Sequence, residues 1–143
     1  MIRAATPADT PRLVEMGRTQ FESSDWHGRA GFDADSFADY LGQALVLVAD
    51  TGERVVGMFG GTIGAPPFNR NLPIFLGTFW YCEPEFRKEA GLPLLAAGEK
   101  AAKARGVRFS VVSTDDGERS AALTRLYRLK GYRPAEQTYL KGL

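Results

Sequence analysis

The chain has few of the residues that build disulfide frameworks, metal centres or membrane spans. One cysteine and one histidine occur among 143 residues, which excludes an internal disulfide framework and gives no pattern for a zinc site. No apolar run approaches the ~20 residues of a membrane-spanning helix. The first residues, MIRAATPADTPRL, lack the basic and then apolar regions of a signal peptide. We therefore expect a cytoplasmic protein with no metal and no membrane partner.

An excess of charge of one sign is also missing. The formal net charge is +1, so there is no broad basic field and nucleic acid is not an expected partner. Hydrophobic residues make up 44% of the chain, as is usual in globular proteins. A chain of this length buries about two-thirds of its unfolded surface. We expect one domain over residues 1–143.

What the chain does have is an alternation of short apolar runs and helical patterns. The predicted order is β-α-α-β-β-β-α-β-α-β, without a linker, an internal repeat or a low-complexity segment. The predicted helices start at Thr6, Asp33, Leu92 and Ser120, where caps and apolar periodicity coincide. The predicted strands are Ile2–Ala5, Leu45–Ala49, Val55–Ile63, Ile74–Cys82, Val107–Ser113 and Gln137–Leu140.

The most informative segment runs from Phe79 to Gly106. It reads as an aromatic strand, a turn, a short basic loop over Arg87–Gly91 and then an amphipathic helix. A helix N-terminus has unpaired backbone N–H groups and about half a positive charge. With Arg87 and Lys88 beside it, this terminus favours a phosphate-bearing ligand held mainly by backbone. The alternative is that the loop only connects two elements.

Three features together carry a family resemblance. They are the order of elements, the Pro-Glu-Phe-Arg turn at Pro84–Arg87, and the closing run from Leu126 to Tyr132. In these the whole chain resembles the GNAT superfamily of acetyl-CoA-dependent N-acetyltransferases, although its basic loop is about one residue shorter than that family's pattern. The Pro66–Asn69 turn and the Phe79–Tyr81 strand further resemble a phage-associated branch.

The resemblance implies a fold, a reaction and partners. The fold is a single α/β domain with a mixed central sheet flanked by helices. The reaction is transfer of an acetyl group from acetyl-CoA to a primary amine by direct attack, and the acceptor is a small molecule or a protein. A homodimer is also favoured. The alternative function is a non-catalytic coenzyme A-binding or interaction protein that keeps the fold.

The resemblance also assigns the coenzyme site. Backbone amides from Lys88 to Leu92 would cradle the pyrophosphate, and a cation at Arg87 or Lys88 would pair with its charge. The end of the fourth strand would splay from its neighbour, often with the help of a bulge, and hold the acetyl and pantetheine groups. Ser120 would face the coenzyme, with an N-cap role as the alternative. The implied coenzyme contacts are Tyr81, Cys82, Arg87, Lys88, Glu89, Ala90, Gly91, Leu92 and Ser120.

Tyr127 is the catalytic residue that the resemblance implies, with its hydroxyl near the coenzyme sulfur. Helical spacing alone would instead make it a core aromatic residue. A phenol pKa of ~10 exceeds a thiol pKa of ~8.5, so the hydroxyl would stabilise the thiolate by hydrogen bonding. The strand Ile74–Cys82 carries no acidic residue, so the general base stays open. The candidates are His27, Glu22, Asp25, Glu83 or a water molecule.

Overall fold

The computed structural model describes residues 1–143. Residues 1–113 and 114–143 form two compact units, so one domain over the whole chain stays a prediction. None of the helices is both long enough and apolar enough to span a bilayer. The strands are β1 Ile2–Ala4, β2 Leu45–Asp50, β3 Val55–Gly64, β4 Ile74–Cys82 and β5 Phe109–Val111. The helices are α1 Thr10–Glu22, α2 Ala34–Gln43, α3 Arg87–Ala104 and α4 Ser120–Leu129, with 3-10 turns at Pro7–Asp9 and Pro84–Phe86.

The first unit is built on one five-stranded sheet with the order β1-β2-β3-β4-β5. The first four strands are antiparallel to their neighbours, whereas β5 runs parallel to β4. A parallel neighbour requires a crossover connection, and α3 supplies it between β4 and β5. The predicted fold class, an α/β fold with a mixed central sheet flanked by helices, is confirmed.

The core lies on both faces of this sheet. Strands β2 and β3 are almost continuously buried, as expected for strands that are covered on both faces. On one face Leu13 and Met16 of α1 join Met58 in a buried cluster. On the other face α3 packs against β2 and β3, and Phe59 lies so near that a Cβ at Gly98 would be 2.3 Å from its ring. A glycine is therefore needed at this crossing.

Helix α3 begins five residues before the predicted start at Leu92. The residues predicted to form a loop, Arg87–Gly91, are helical, and Pro93 lies inside the helix. Pro93 removes only the hydrogen bond to the carbonyl of residue 89. Because Ala90 and Gly91 are buried, we infer that packing of this face outweighs the local preference of glycine and proline. The loop prediction was wrong for this reason.

The predicted last strand, Gln137–Leu140, does not form. Residues 132–143 have no regular secondary structure, although the sequence there is compatible with a strand. The unit that contains them has a single regular element, α4. An isolated strand has no ladder partner and is not stable in water, so local sequence could not decide this segment.

A charged cluster fastens the start of the chain to the sheet. The Arg3 guanidinium donates to both oxygens of Asp9, at 2.8 and 2.9 Å, and also to Asp50 at 2.8 Å. Asp9 in turn accepts the backbone N–H of Thr6 at 2.7 Å, which completes a capping box. The side-chain hydrogen bonds from Arg3 lower the pKa of Asp9 to about 2. This carboxylate is therefore stabilised in its charged form.

We predict that the ion pair between Asp9 and Arg3 makes the free energy of unfolding depend on pH in the acid range. A carboxyl group whose folded pKa lies below its unfolded value stabilises the fold above the unfolded pKa and loses this contribution as pH falls through the folded pKa. The wild type should therefore lose about 1–2 kcal/mol between pH 4 and pH 2 from this group. The Asp9→Asn variant should lack that component in urea unfolding, whereas Asp39→Asn, at an exposed position, should retain it. If the free energy of unfolding falls by the same amount between pH 4 and pH 2 in the wild type and in Asp9→Asn, Asp9 is not the source of the pH dependence.

Candidate functional site

A β-bulge interrupts the pairing of β3 and β4. The register shifts between Gly60, which pairs with Phe79, and Gly61, which pairs with Gly77. Thr78 is therefore the extra residue of β4. A Cβ on Gly61 would lie 1.8 Å from the Leu76 carbonyl oxygen, so only glycine allows this close approach. Such a bulge bends the strand and re-aims its side chains, as the resemblance implied.

Strand β4 is longer than its ladder with β5. The β4–β5 ladder contains the pairs from Ile74–Phe109 to Leu76–Val111 and then ends. Strand β4 itself continues past the bulge to Cys82. The ladder with β5 therefore does not extend to the carboxyl-terminal part of β4, which contains the predicted contacts Tyr81 and Cys82. The ladder ends where β5 itself ends, at Val111, and the implied splay that would hold the acetyl and pantetheine groups stays a prediction.

The start of α3 lies directly after the end of β4. The 3-10 turn Pro84–Phe86 leads into it, with the Phe86 N–H donating to the Glu83 carbonyl at 2.9 Å. The Arg87 Nε donates to the Cys82 carbonyl at 3.2 Å, which joins the first helical residue to the last strand residue. Two of the predicted site residues are thus brought together.

The early helix start changes which amides an anion would meet. Donors without an intrahelical partner belong to the first turn of a helix, which here starts at Arg87 rather than at Leu92. Lys88 and Glu89 in this turn are exposed, whereas Ala90 and Gly91 are buried and Leu92 is half-buried. A Cβ on Gly91 would lie 3.7 Å from the Trp80 ring. Lys88 is therefore the exposed cation of the predicted phosphate site.

Glu83 joins three parts of the first unit. Its Oε1 accepts from Arg12 of α1 and from Arg54 of the β2–β3 hairpin, and its backbone N–H donates to the Val56 carbonyl at 2.9 Å. The second oxygen, Oε2, is buried without a hydrogen-bond partner. The hydrogen bond from Arg54, with the charge of Arg12, lowers the pKa of Glu83. A carboxylate held in this way is a weak base.

The other candidate bases lie on the surface. Glu22, Asp25 and His27 are all exposed. The His27 ring makes an edge contact with Phe21 at 5.9 Å between centroids. None of these three side chains is buried in a pocket.

A cavity of about 240 Å³ opens between α1, α2, the segment that joins them and the bulge of β4. The Gln20 amide donates to the Trp80 carbonyl at 3.4 Å, and the hydroxyls of Thr78 and Tyr40 share a hydrogen bond of 2.6 Å. Sequence reasoning did not identify this cavity, because its four phenylalanines lie far apart in the chain without a regular spacing. Its lining residues are Gly17, Gln20, Phe21, Ser24, Phe32, Phe37, Thr78 and Phe79.

The second unit contains Ser120 and Tyr127, both on α4. The N-cap of α4 is Arg119 and Ser120 is its first residue, so the alternative N-cap role for Ser120 was wrong. The Ser120 hydroxyl lies 3.4 Å from that of Thr114. The Tyr127 ring packs against the Tyr132 ring, with 5.5 Å between centroids. Burial raises the pKa of Tyr127 to about 12, which keeps its hydroxyl protonated and able to donate.

Comparison with known proteins identifies the fold. No protein-family model and no curated protein matches the sequence. Solved structures do match, and each match covers 100% of this chain. An aminoglycoside acetyltransferase from an uncultured soil metagenomic sample, in complex with sisomicin, is 16% identical with a TM-score of 0.76 over 95% of its chain. AAC(6′)-Iy in complex with the bisubstrate analogue CoA-S-monomethyl-acetylneamine is 13% identical with a TM-score of 0.76 over 97% of its chain.

A third match carries a different description. A transcriptional regulator from Bacillus halodurans C-125 is 19% identical with a TM-score of 0.76 over 99% of its chain. At such identities the likeness shows the fold alone, because one fold hosts many functions. This chain therefore has the fold of GNAT-type acetyltransferases. The resemblance to a phage-associated branch is not tested by these structures and stays a prediction.

We predict that Glu83 stabilises the fold through its two arginine partners. Its side chain is 14% exposed, whereas Glu15, which also pairs with Arg12, is 68% exposed. Glu83→Gln should lower the free energy of unfolding by about 1–3 kcal/mol, because the negative charge that faces two arginines is lost in a partly buried setting. The matched Glu15→Gln change should cost under about 0.5 kcal/mol. Equal effects in urea unfolding would show that the buried pairing adds nothing.

Proposed function

We propose that this protein is an N-acetyltransferase that moves an acetyl group from acetyl-CoA to a primary amine. The observation that carries the proposal is that the β4–β5 ladder ends at Leu76, while β4 continues to Cys82 and leads through the Pro84–Phe86 turn into α3. A ligand that passes between the strands meets backbone groups of β4 and then the N-terminus of α3. Coenzyme A fits this arrangement, because its extended pantetheine arm would lie along β4 and its pyrophosphate would reach the N-terminus of α3. The structures of similar fold that bind sisomicin or a CoA bisubstrate analogue support it.

The residues present fit such a coenzyme. The first turn of α3 offers backbone donors and the positive end of the helix dipole to a pyrophosphate. Lys88 adds an exposed positive charge in the same turn. Arg87 is tied to the Cys82 carbonyl, so we assign it to holding the helix start against the strand. The end of β4, at Tyr81 and Cys82, would hold the thioester and the pantetheine arm.

The proposed reaction needs no covalent enzyme intermediate. The neutral amine nitrogen attacks the thioester carbonyl carbon, a C–N bond forms and the C–S bond breaks. The nitrogen gives up one proton and the departing thiolate takes up one, so the products are an amide and a free thiol. Holding both reactants in one site lowers the entropic part of the barrier.

We propose that Tyr127 stabilises the departing thiolate. Its pKa of about 12 lies well above that of an ordinary thiol at about 8.5. Transfer of its proton to the thiolate is therefore uphill, and its role would be a hydrogen bond to the developing charge. For the base we favour water, because Glu83 is held in ion pairs and Glu22, Asp25 and His27 are exposed.

The alternative is a non-catalytic protein that binds coenzyme A or another partner through the same fold. Its support is that neither β4 nor the cavity lining contains a carboxylate. The two functions differ in one measurement, since only the enzyme releases free thiol from acetyl-CoA when an amine is added. A cytoplasmic location and a homodimer stay predictions under either function.

We predict that acetyl-CoA binds at the start of α3 and stabilises the fold. At 100 times its dissociation constant it should add about 2.7 kcal/mol to the stability of the protein. Lys88→Gln should weaken binding about threefold to tenfold by calorimetry, and less at high salt, because an exposed charge pair is lost. Lys100→Gln, an exposed change further along α3, should bind normally. If acetyl-CoA moves neither the melting curve nor the calorimeter signal, the coenzyme proposal fails.

We predict that Tyr127→Phe slows turnover without weakening acetyl-CoA binding. Removing the hydroxyl leaves the thiolate without its donor, so kcat should fall by about 10²-fold or more. Tyr139→Phe, which removes a hydroxyl from a residue that is 86% exposed, is the matched control and should keep wild-type kcat. Steady-state thiol release beside a melting curve separates chemistry from folding. Normal kcat in Tyr127→Phe would leave catalysis to positioning alone.

A further inference from the structure

We infer that the acceptor amine carries an aromatic or similarly compact apolar group and no further positive charge. This inference rests on the proposed function and names the substrate class of the same site. Its basis is the cavity beside the β4 bulge, which is built mainly from phenylalanine rings and lacks an anionic group.

The apolar wall of the cavity comes from four different elements. Phe21 ends α1, Phe32 lies between the helices, Phe37 belongs to α2 and Phe79 belongs to β4. Successive rings lie 5.7 Å apart, from Phe21 to Phe32, from Phe32 to Phe37 and from Phe37 to Phe79. These spacings are those of tilted and edge contacts between aromatic side chains. The wall is therefore a connected set of rings that suits another ring.

The charge around the cavity opposes a polycation. None of the lining residues carries a carboxylate. The Arg18 guanidinium lies 4.8 Å from the centroid of the Phe32 ring, so the wall carries a positive charge. The acidic residues nearby in the chain, Glu22, Asp25 and Asp33, are exposed and outside the lining. A second ammonium group in this cavity would lose water without gaining an anion, which is costly.

The volume of the cavity and the position of its polar groups also favour an aromatic amine. A cavity of about 150 Å³ lined by apolar side chains holds one benzene ring, so about 240 Å³ holds a ring with a short arm. The polar lining residues are Gln20, Ser24 and Thr78, and at the β4 end the Thr78 hydroxyl shares a hydrogen bond of 2.6 Å with that of Tyr40. Thr78 is the bulge residue of the strand along which we propose the thioester lies. An acceptor with its amine beside Thr78 and its ring against Phe21 and Phe32 would fit both the polar and the apolar part of the cavity.

The first test compares an aromatic monoamine with a flexible polyamine. Thiol release from acetyl-CoA should show a kcat/KM at least tenfold higher for 2-phenylethylamine than for spermidine. Calorimetry with acetyl-CoA alone is run beside it, because it reports on the coenzyme proposal separately. If acetyl-CoA binds and is consumed with spermidine as the better acceptor, the proposed function stands and this inference is overturned.

A charge placed in the cavity should shift the preference. Gln20→Glu puts a carboxylate in the lining in place of the amide that donates to the Trp80 carbonyl. The ratio of kcat/KM for phenylethylamine over spermidine, which cancels a general loss of activity, should fall at least about tenfold. Gln43→Glu makes the same charge change at an exposed position outside the lining and should leave the ratio unchanged. The same ratio in both variants would contradict the inference.

Removing one ring should weaken the aromatic acceptor selectively. Phe32→Leu keeps an apolar side chain but deletes a ring contact, so the KM for phenylethylamine should rise roughly threefold to tenfold, with the KM for spermidine unchanged. Phe68→Leu is the control, because Phe68 is 85% exposed and outside the lining. An equal response of both amines to Phe32→Leu would mean that the ring does not select the acceptor.

A binding measurement separates this inference from the proposed function. Ligand-detected NMR should show phenylethylamine binding to the protein without coenzyme, and Phe32→Leu should weaken that signal. If acetyl-CoA neither binds nor reacts while this binding persists, the proposed function fails and the cavity assignment stands. If phenylethylamine neither binds nor reacts with folded protein, the cavity assignment is wrong.

Discussion

The arrangement of the candidate site depends on how β4 is paired along its two edges. Toward β3 it pairs over its whole length with one bulge at Thr78, whereas its ladder with β5 ends at Leu76. A sheet with full pairing on both edges would leave no backbone for a ligand to meet. The bulge depends in turn on Gly61, because any side chain there would collide with the Leu76 carbonyl. One glycine thus makes possible the bend on which both the proposed thioester position and the acceptor cavity depend.

Ion pairs hold the surrounding elements to this strand. Glu83, directly after β4, pairs with arginines of α1 and the β2–β3 hairpin, while Arg87 fastens the start of α3 to the Cys82 carbonyl. The helix N-terminus is therefore kept beside the strand end. In the proposed complex, β4 holds one end of an extended ligand and the N-terminus of α3 holds the other. A fixed distance between them lowers the entropic cost of binding that ligand. In this way residues with no proposed chemical role still shape the site.

Much of the fold could be predicted because its signals are local. Apolar strands and the order of the first nine elements are confirmed, since each depends on neighbours within a few residues. The first helix was predicted to start at Thr6, but Thr6 precedes a 3-10 turn and α1 starts at Thr10. Two further errors concern helix starts. Arg87–Gly91 was predicted to be a loop, yet these residues are helical, and Ala90 and Gly91 are buried. An N-cap role was one alternative for Ser120, but Ser120 is the first residue of α4 and Arg119 is the N-cap.

The sequence by itself determined the fold class and the strand that leads into α3. Periodicity and capping act over a few residues, so they can be read without the rest of the chain. Only the tertiary structure decided that Glu83 is an ion-pair residue, that Lys88 is the exposed cation and that four distant phenylalanines form one cavity wall. Those facts depend on which elements pack together, and packing joins residues as far apart as Phe21 and Phe79 through contacts that no local pattern encodes.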